Sequence, residues 1–384
     1  MKHILFLTII LLSLSCTSRS QVRRDSVYPS SADNRYTIDS IVPADTLRLL
    51  FVGDLMQHQS QINAARTTKG YDYSTCFEYV KEEINRADFA IANLEVTLGG
   101  KPYRGYPAFS APDEFLTAIR DAGFNVLATA NNHCLDRGKA GLKRTILLMD
   151  SLKIPHVGTY VDSEARKKQY PLLLEKKGFR IILLNYTYGT NGITVAPPAL
   201  VNYIDTTVIA KDIEASKVLK PDAIIAYMHW GIEYQSLPDK TQKSLAEWLL
   251  QKDVDHIIGS HPHVVQPIEV RTDSLTNNKH LIVYSLGNYI SNMSTRRTDG
   301  GLMVRMELVK DSTTRLHNCE YSLVWTARPI QSEKKNYQLF PVALPTDSIP
   351  LKARNSLKIF TNDTRFLFSK HNQGIKEYTF YEKK

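Results

Sequence analysis

Short apolar runs alternate with stretches of helical spacing along most of the chain. Leu47 to Val52, Phe89 to Ala92, Val126 to Ala128, Ala223 to Met228 and His256 to Ile258 are brief and largely apolar, as strands buried on both faces require. Between them, Cys76 to Asn85, Pro112 to Ala122, Gly138 to Leu152, Asp205 to Leu219 and Lys240 to Leu250 predict helices; in the last, Leu245, Trp248 and Leu249 point inward. Pro171 to Glu175 and Phe179 to Asn185 predict a hairpin across Lys177-Gly178. The alternation predicts an α/β domain around a largely buried sheet. Gly189 to Pro198, rich in Gly, Asn, Thr and Pro, predicts a lid or the rim of a cleft. Beyond Leu281 to Ser285 the pattern turns to strands, notably Leu302 to Leu308 and Glu320 to Thr326. The tail from Leu351 to Lys384 is polar and uninformative.

Composition narrows the class. At 384 residues and 43% hydrophobic content, the chain can bury a sizeable core as one large domain or two ordinary ones. The formal charge of +9 is spread over many Lys and Arg, which suits anionic material but lacks a block pointing to nucleic acid, so no nucleic-acid partner is expected. Met1-Lys2-His3, the apolar Ile4 to Leu12, then Ser13-Leu14-Ser15-Cys16 have the order of a secretory signal, too short to anchor as a bilayer span. The cysteine after it resembles a bacterial lipobox, with Cys16 acylated as the mature N-terminus, although Ser13 stands where Leu is commoner. The other reading is an ordinary cleaved signal with an incidental cysteine. The expectation is a membrane-anchored lipoprotein of a bacterial envelope, periplasmic or at the cell surface. Cys76, Cys134 and Cys319 remain, an odd number that argues against a disulfide framework. The expected divisions are a signal at 1–16, a polar tether at 17–45, a catalytic-type domain at 46–310, and a strand-rich extension with a polar tail at 311–384.

Chemistry-bearing residues follow the strands. Gly53-Asp54, Asn93-Leu94-Glu95, Asn131-Asn132-His133, Met228-His229-Trp230-Gly231 and Gly259-Ser260-His261-Pro262-His263 each emerge at a carboxyl end, where open α/β sheets keep ligand sites. Of 11 histidines, five (His58, His133, His229, His261 and His263) lie in or beside these motifs. Imidazole and carboxylate on rigid backbone are what a divalent metal needs. Asp54 and Glu95 are carboxylate ligands, or a turn aspartate and a surface glutamate. Asn132 supplies a weaker amide oxygen, and His133 is suited to proton donation. His261 and His263 serve one ion each, or one ion and a substrate.

The motifs in order, Phe51 to Met56, Asn93 to Glu95, Asn131 to His133 with Leu135-Asp136 and Gly138, His229 to Gly231 with Glu233-Tyr234, Gly259 to Val264 with Gln266, and Tyr284 to Tyr289, resemble the CapA family. That family is named for poly-γ-glutamate capsule synthesis and belongs to the metallophosphatase superfamily of calcineurin-like phosphoesterases. The resemblance spans Leu47 to Met306. It implies a layered α/β/β/α metallophosphoesterase-like sandwich and two divalent ions, with Mn, Zn or Fe as candidates. Asp54 and His263 would serve the first metal, Glu95 would bridge, and Asn132, His229 and His261 would serve the second. His133 would be the catalytic histidine, oriented by Asp136. The chain departs at Met56, where the superfamily has histidine and where nearby His58 is the candidate substitute, and at Glu95, where it has aspartate. The implied activity is metal-dependent hydrolysis of phosphoesterase type, with an anionic envelope polymer or a phosphoester as substrate. The alternative is a non-catalytic factor that binds poly-γ-glutamate or another envelope polymer during export or anchoring.

Overall fold

The computed structural model describes residues 46–381. The expected signal, Cys16 and the tether therefore lie outside the described residues. Strand β1 (Thr46–Leu55) runs through the middle of the first sheet, followed by helix α1 (Gln59–Ala65). Parallel to it lie β2 (Phe89–Leu94), β3 (Val126–Ala128) and β4 (His156–Val157). Alternate side chains of a strand point to opposite faces. Leu50 and Val52 accordingly pack with Phe115, Leu116 and Ile119 of α2 (Asp113–Ala122) and with Leu142, Ile146 and Met149 of α3 (Gly138–Ser151). Leu47, Leu49 and Phe51 instead share a cluster with the second sheet.

That second sheet contains β5 (Leu172–Lys176), β6 (Phe179–Thr187), β7 (Ala223–His229), β8 (His256–Ser260), β9 (Ile268–Thr272) and β10 (Lys279–Val283). Its order is β9-β10-β8-β7-β6-β5, with β6, β7, β8 and β10 mutually parallel and a β5–β6 hairpin at one edge. The first sheet occupies its inner face. The crossover helices α4 (Thr206–Val218) and α5 (Lys240–Gln251) therefore cover the other, burying Ile209, Ile213, Leu245 and Leu249. The result is the layered α/β/β/α arrangement expected from the sequence. No helix among the described residues is long and apolar enough to cross a membrane.

Residues beyond 283 return to the first sheet. Strand β11 (Asn288–Ile290) runs parallel to the end of β1, β12 (Gly300–Lys310) pairs antiparallel with β1, and β13 (Thr314–Ala327) and β14 (Gln338–Pro341) extend the edge. The sheet is continuous across position 310. Two segments differ from the sequence expectation. Cys76 to Asn85 is a 3-10 turn (Ser74–Phe77) followed by a separate short helix (Lys81–Asn85), which together still bury Cys76, Phe77, Val80 and Ile84. The tail contains a 21-residue helix, α6 (Leu351–His371). Its buried stripe of Ala353, Leu357, Phe360, Thr361, Thr364 and Phe368 is diluted by two threonines, and Thr361 satisfies its hydroxyl on the Leu357 carbonyl at 2.7 Å, so the apolar period is weak in sequence.

Phe360 is 1% exposed and packs where a Cβ on Gly300 would come within 2.6 Å of its ring, whereas Phe366 on the outer side of α6 is 68% exposed. Phe360→Ala should cost about 3–5 kcal/mol in urea unfolding, while Phe366→Ala should change stability by less than about 0.5 kcal/mol.

Candidate metal centre

The parallel strands of both sheets end on the same side of the sandwich, so their carboxyl-terminal motifs meet. Two buried polar links set the sheets against each other. Tyr227 donates its hydroxyl to the Val52 carbonyl at 3.0 Å, just before Asp54. Asn185 accepts from the Thr129 and Ala130 amides at 3.0 and 2.7 Å, at the start of the loop to Asn132 and His133, and donates to the Tyr227 carbonyl at 3.0 Å. Glycine permits the close backbone approach this needs: a Cβ on Gly53 would lie 1.8 Å from the Gly287 carbonyl oxygen.

Asp54 and Glu95 are both wholly buried. The Asn93 amide donates to Asp54 Oδ1 at 2.8 Å and Glu95 Oε2 at 3.3 Å, which leaves Asp54 Oδ2 and Glu95 Oε1 without hydrogen-bond partners. His261 Nδ1 is likewise unpartnered. Buried polar atoms are ordinarily satisfied, so three orphans in one place need an explanation. Ligand atoms of Glu95, His261 and His263 lie within 4.8 Å of one another, as do those of Asp54, Glu95 and His229. Two carboxylates, three imidazoles and an amide oxygen form a donor set that fits borderline divalent ions such as Zn, Mn or Fe. Two of the three imidazoles are aimed by neighbours. His263 Nδ1 meets Asn288 Oδ1 at 3.0 Å and lies 3.4 Å from Asp54 Oδ2; His229 Nδ1 meets Ser260 Oγ and its Nε2 meets Asn132 Oδ1, both at 3.0 Å. Asn132 is itself turned by donating to Asn191 Oδ1 at 3.2 Å.

The electrostatics are those of a cavity short of positive charge. Burial, then the Asp54 carboxylate, holds Glu95 well above the usual carboxylate range. Burial, then His261, keeps His229 far below the ordinary imidazole value, and His261 is lowered to about 3 by burial and His263. His263 is the exception: burial opposes its charge, but Asp54 overcomes this and raises it. His261 at φ +100 and His263 at φ +58 occupy the left-handed region that side chains avoid, a strain of about 1–3 kcal/mol each that is concentrated at functional sites. Beside the ligands, His133 Nδ1 meets Asp136 Oδ2 at 2.8 Å, and the same oxygen accepts the Phe109 amide at 2.8 Å.

The structure thus brings together Asp54, Glu95, Asn132, His229, His261 and His263, with the His133–Asp136 pair alongside. The two convergent triples, Glu95 with His261 and His263 and Asp54 with Glu95 and His229, share Glu95, while Asp54 Oδ2 also lies 3.4 Å from His263 Nδ1 and His229 Nε2 lies 3.0 Å from Asn132 Oδ1. His58 belongs to neither triple. It caps α1 through Gln61, accepts the Asn292 amide at 3.3 Å, and is pushed by burial to about 4. Met56 is packed into the apolar cluster behind β1. The orienting residues Asn93, Ser260 and Asn288 were present in the quoted motifs without a role; an amide or hydroxyl adjoining a ligand histidine or carboxylate was their signal.

Residues 48–293 match the family model described as bacterial capsule synthesis protein PGA_cap. The chain is 29% identical over 339 residues to the PGA biosynthesis protein CapA of Bacillus subtilis (strain 168), covering 84% of this chain and 80% of that one. It is 28% identical over 283 residues to the capsule biosynthesis protein CapA of Bacillus anthracis, covering 70% of this chain and 66% of that one. Among solved structures, the calcineurin-like phosphoesterase YfkN from Bacillus subtilis aligns with a TM-score of 0.44 at 14% identity, over 82% of this chain and 99% of that one.

His256, remote from the ligands on β8, gives a clean pH test. Burial, then His280, lowers it from 6.5 to about 3, and its Nδ1 accepts the Leu281 amide at 3.1 Å. A lowered histidine contributes stability above its unfolded value that is lost as pH falls from 6.5 toward about 3. His256→Asn should therefore flatten the fall in urea midpoint between about pH 7 and about pH 4; an unchanged slope contradicts the assignment.

Proposed function

The chain belongs to the bacterial capsule synthesis protein PGA_cap family, and from that premise we propose that it is a divalent-metal-dependent hydrolase of phosphoesterase type. Its setting is the cell envelope, reached by a signal at 1–16 and held through acylated Cys16 and a tether at 17–45, and its substrate belongs to capsule or anionic-polymer metabolism. The Bacillus subtilis relative is named for PGA biosynthesis, which makes poly-γ-glutamate metabolism the leading context. The observation that carries the reading is the convergence of buried atoms without hydrogen-bond partners, Asp54 Oδ2, Glu95 Oε1 and His261 Nδ1, beside a histidine–aspartate pair.

Asp54, Glu95, Asn132, His229, His261 and His263 would hold two divalent ions. When bound, such ions supply Lewis-acid polarisation and neutralise charge developing on a phosphoryl group. The chain's own residues do the rest. Asn93 fixes both carboxylates through one amide, while Asn288 and Ser260 aim His263 and His229. Asp136 accepts the Nδ1 proton of His133, which leaves Nε2 to carry the proton delivered to a leaving oxygen. The Phe109 amide holds that carboxylate in place.

Purified protein loaded with Mn or Zn should hydrolyse bis(p-nitrophenyl) phosphate, and a chelator should abolish turnover. His133→Gln should lower kcat by about 10²–10⁴ with metal content unchanged. Metal-loaded protein that cleaves no phosphoester, yet binds poly-γ-glutamate equally well after chelation, would instead identify a non-catalytic polymer-binding factor.

A further inference from the structure

Three exposed tyrosines surround the centre, each against a different histidine. Tyr188, 48% exposed, has its ring 4.4 Å from that of His261 and 6.2 Å from that of His229, tilted only 12° from the latter. Tyr234, 53% exposed, stands 6.2 Å from His263, and Tyr106, 72% exposed, stands 6.4 Å from His133. Exposed apolar residues scattered singly need no explanation; several converging on one centre do.

The backbone that carries Tyr188 and Tyr234 is held in place. The Tyr188 amide donates to the His229 carbonyl at 3.0 Å, and the Tyr234 amide to the Pro262 carbonyl at 2.8 Å. The loop carrying Tyr234 is pinned from below: buried Gln266 donates to the Gln235 and Leu237 carbonyls at 2.8 and 3.2 Å and accepts from Gln242 at 2.8 Å. Tyr106 packs edge-on against Phe109, whose amide is bound to Asp136.

The charge beside Tyr234 is acidic, whereas exposed Arg104 lies two residues before Tyr106. Glu233 adjoins Tyr234 and lies near enough to influence both Glu95 and His263. Arg297 reaches the same loop at Ser236 but also lies 3.6 Å from Asp363. A tyrosine offers a flat apolar face edged by a hydroxyl, which complements a saccharide ring with its C–H face and hydroxyl rim.

We propose that the centre takes a sugar-linked phosphoester, with the saccharide ring seated among Tyr106, Tyr188 and Tyr234 and the phosphoryl group at His229, His261 and His263. The proposal rests on the phosphoesterase reading for the phosphoryl end, whereas the seat itself is read by binding alone.

The test is calorimetric binding to metal-loaded His133→Gln protein, in which bound esters should persist. Glucose 1-phosphate should bind about tenfold more tightly than glycerol 2-phosphate, which has the phosphate and no ring. Tyr188→Ala and Tyr234→Ala should each remove most of that advantage while leaving glycerol 2-phosphate affinity unchanged, and Tyr188→Phe should retain it. Equal affinity for the two phosphates overturns the proposal. So does tighter, tyrosine-independent binding of a γ-glutamate oligomer, or a tyrosine-dependent gain confined to a nucleoside monophosphate. If wild-type protein turns over no phosphoester but ring-dependent binding persists, the phosphoesterase reading falls and the saccharide seat stands.

Discussion

The candidate centre depends on the register between two sheets that share no backbone hydrogen-bond ladder. Asp54, Glu95, Asn132 and His133 come from the first sheet and its loops; His229, His261 and His263 come from the second. Apolar packing holds the layers together but is non-directional and does not fix their sliding. The Tyr227 hydroxyl on Val52 and the Asn185 amide on Thr129 and Ala130 do. A satisfied hydrogen bond contributes about 1 kcal/mol, whereas leaving a buried partner unmet costs about 1–3 kcal/mol. A slip between the sheets would break these links together, just behind the residues whose spacing matters.

Cost is concentrated at the same end of the sandwich. Two buried carboxylates share one amide, Glu95 is forced toward its neutral form, His229 and His261 resist protonation, and His261 and His263 sit in strained backbone. Each feature alone is unfavourable for a metal-free fold. A divalent cation reverses the sign of most of them, since it stabilises the ionised carboxylates and requires neutral imidazole. Frustration at one locus amid consistent packing elsewhere is what a functional site looks like energetically.

Much of this was legible in the sequence. Asp113–Ala122 and Gly138–Ser151 are helices within a residue of where capping and periodicity put them, because Phe115, Leu116 and Ile119 in one and Leu142, Ile146 and Met149 in the other recur at helical spacing. Leu351–His371 was illegible because threonines occupy part of its buried stripe. Ligand candidates were readable because strand ends carry them, while their grouping around Glu95 was not, since it depends on how the two sheets face each other. His58 lies close in sequence to Asp54 and packs on Phe109 with ring centroids 5.2 Å apart, its backbone amide donating to Gln61 three residues on. Tyr188 and Tyr234 adjoin the motifs in sequence, whereas Tyr106 comes from a separate loop that no local pattern ties to them.

The chemistry at this end of the sandwich turns on whether the cluster of orphaned acceptors is a metal centre. Elemental analysis of the purified protein after reconstitution with Mn or Zn, with Asp54→Asn and His261→Ala run alongside, measures it directly. Close to two divalent ions per chain are expected, with both variants losing metal. A stoichiometry near zero in the unaltered protein, or full retention in both variants, would contradict it.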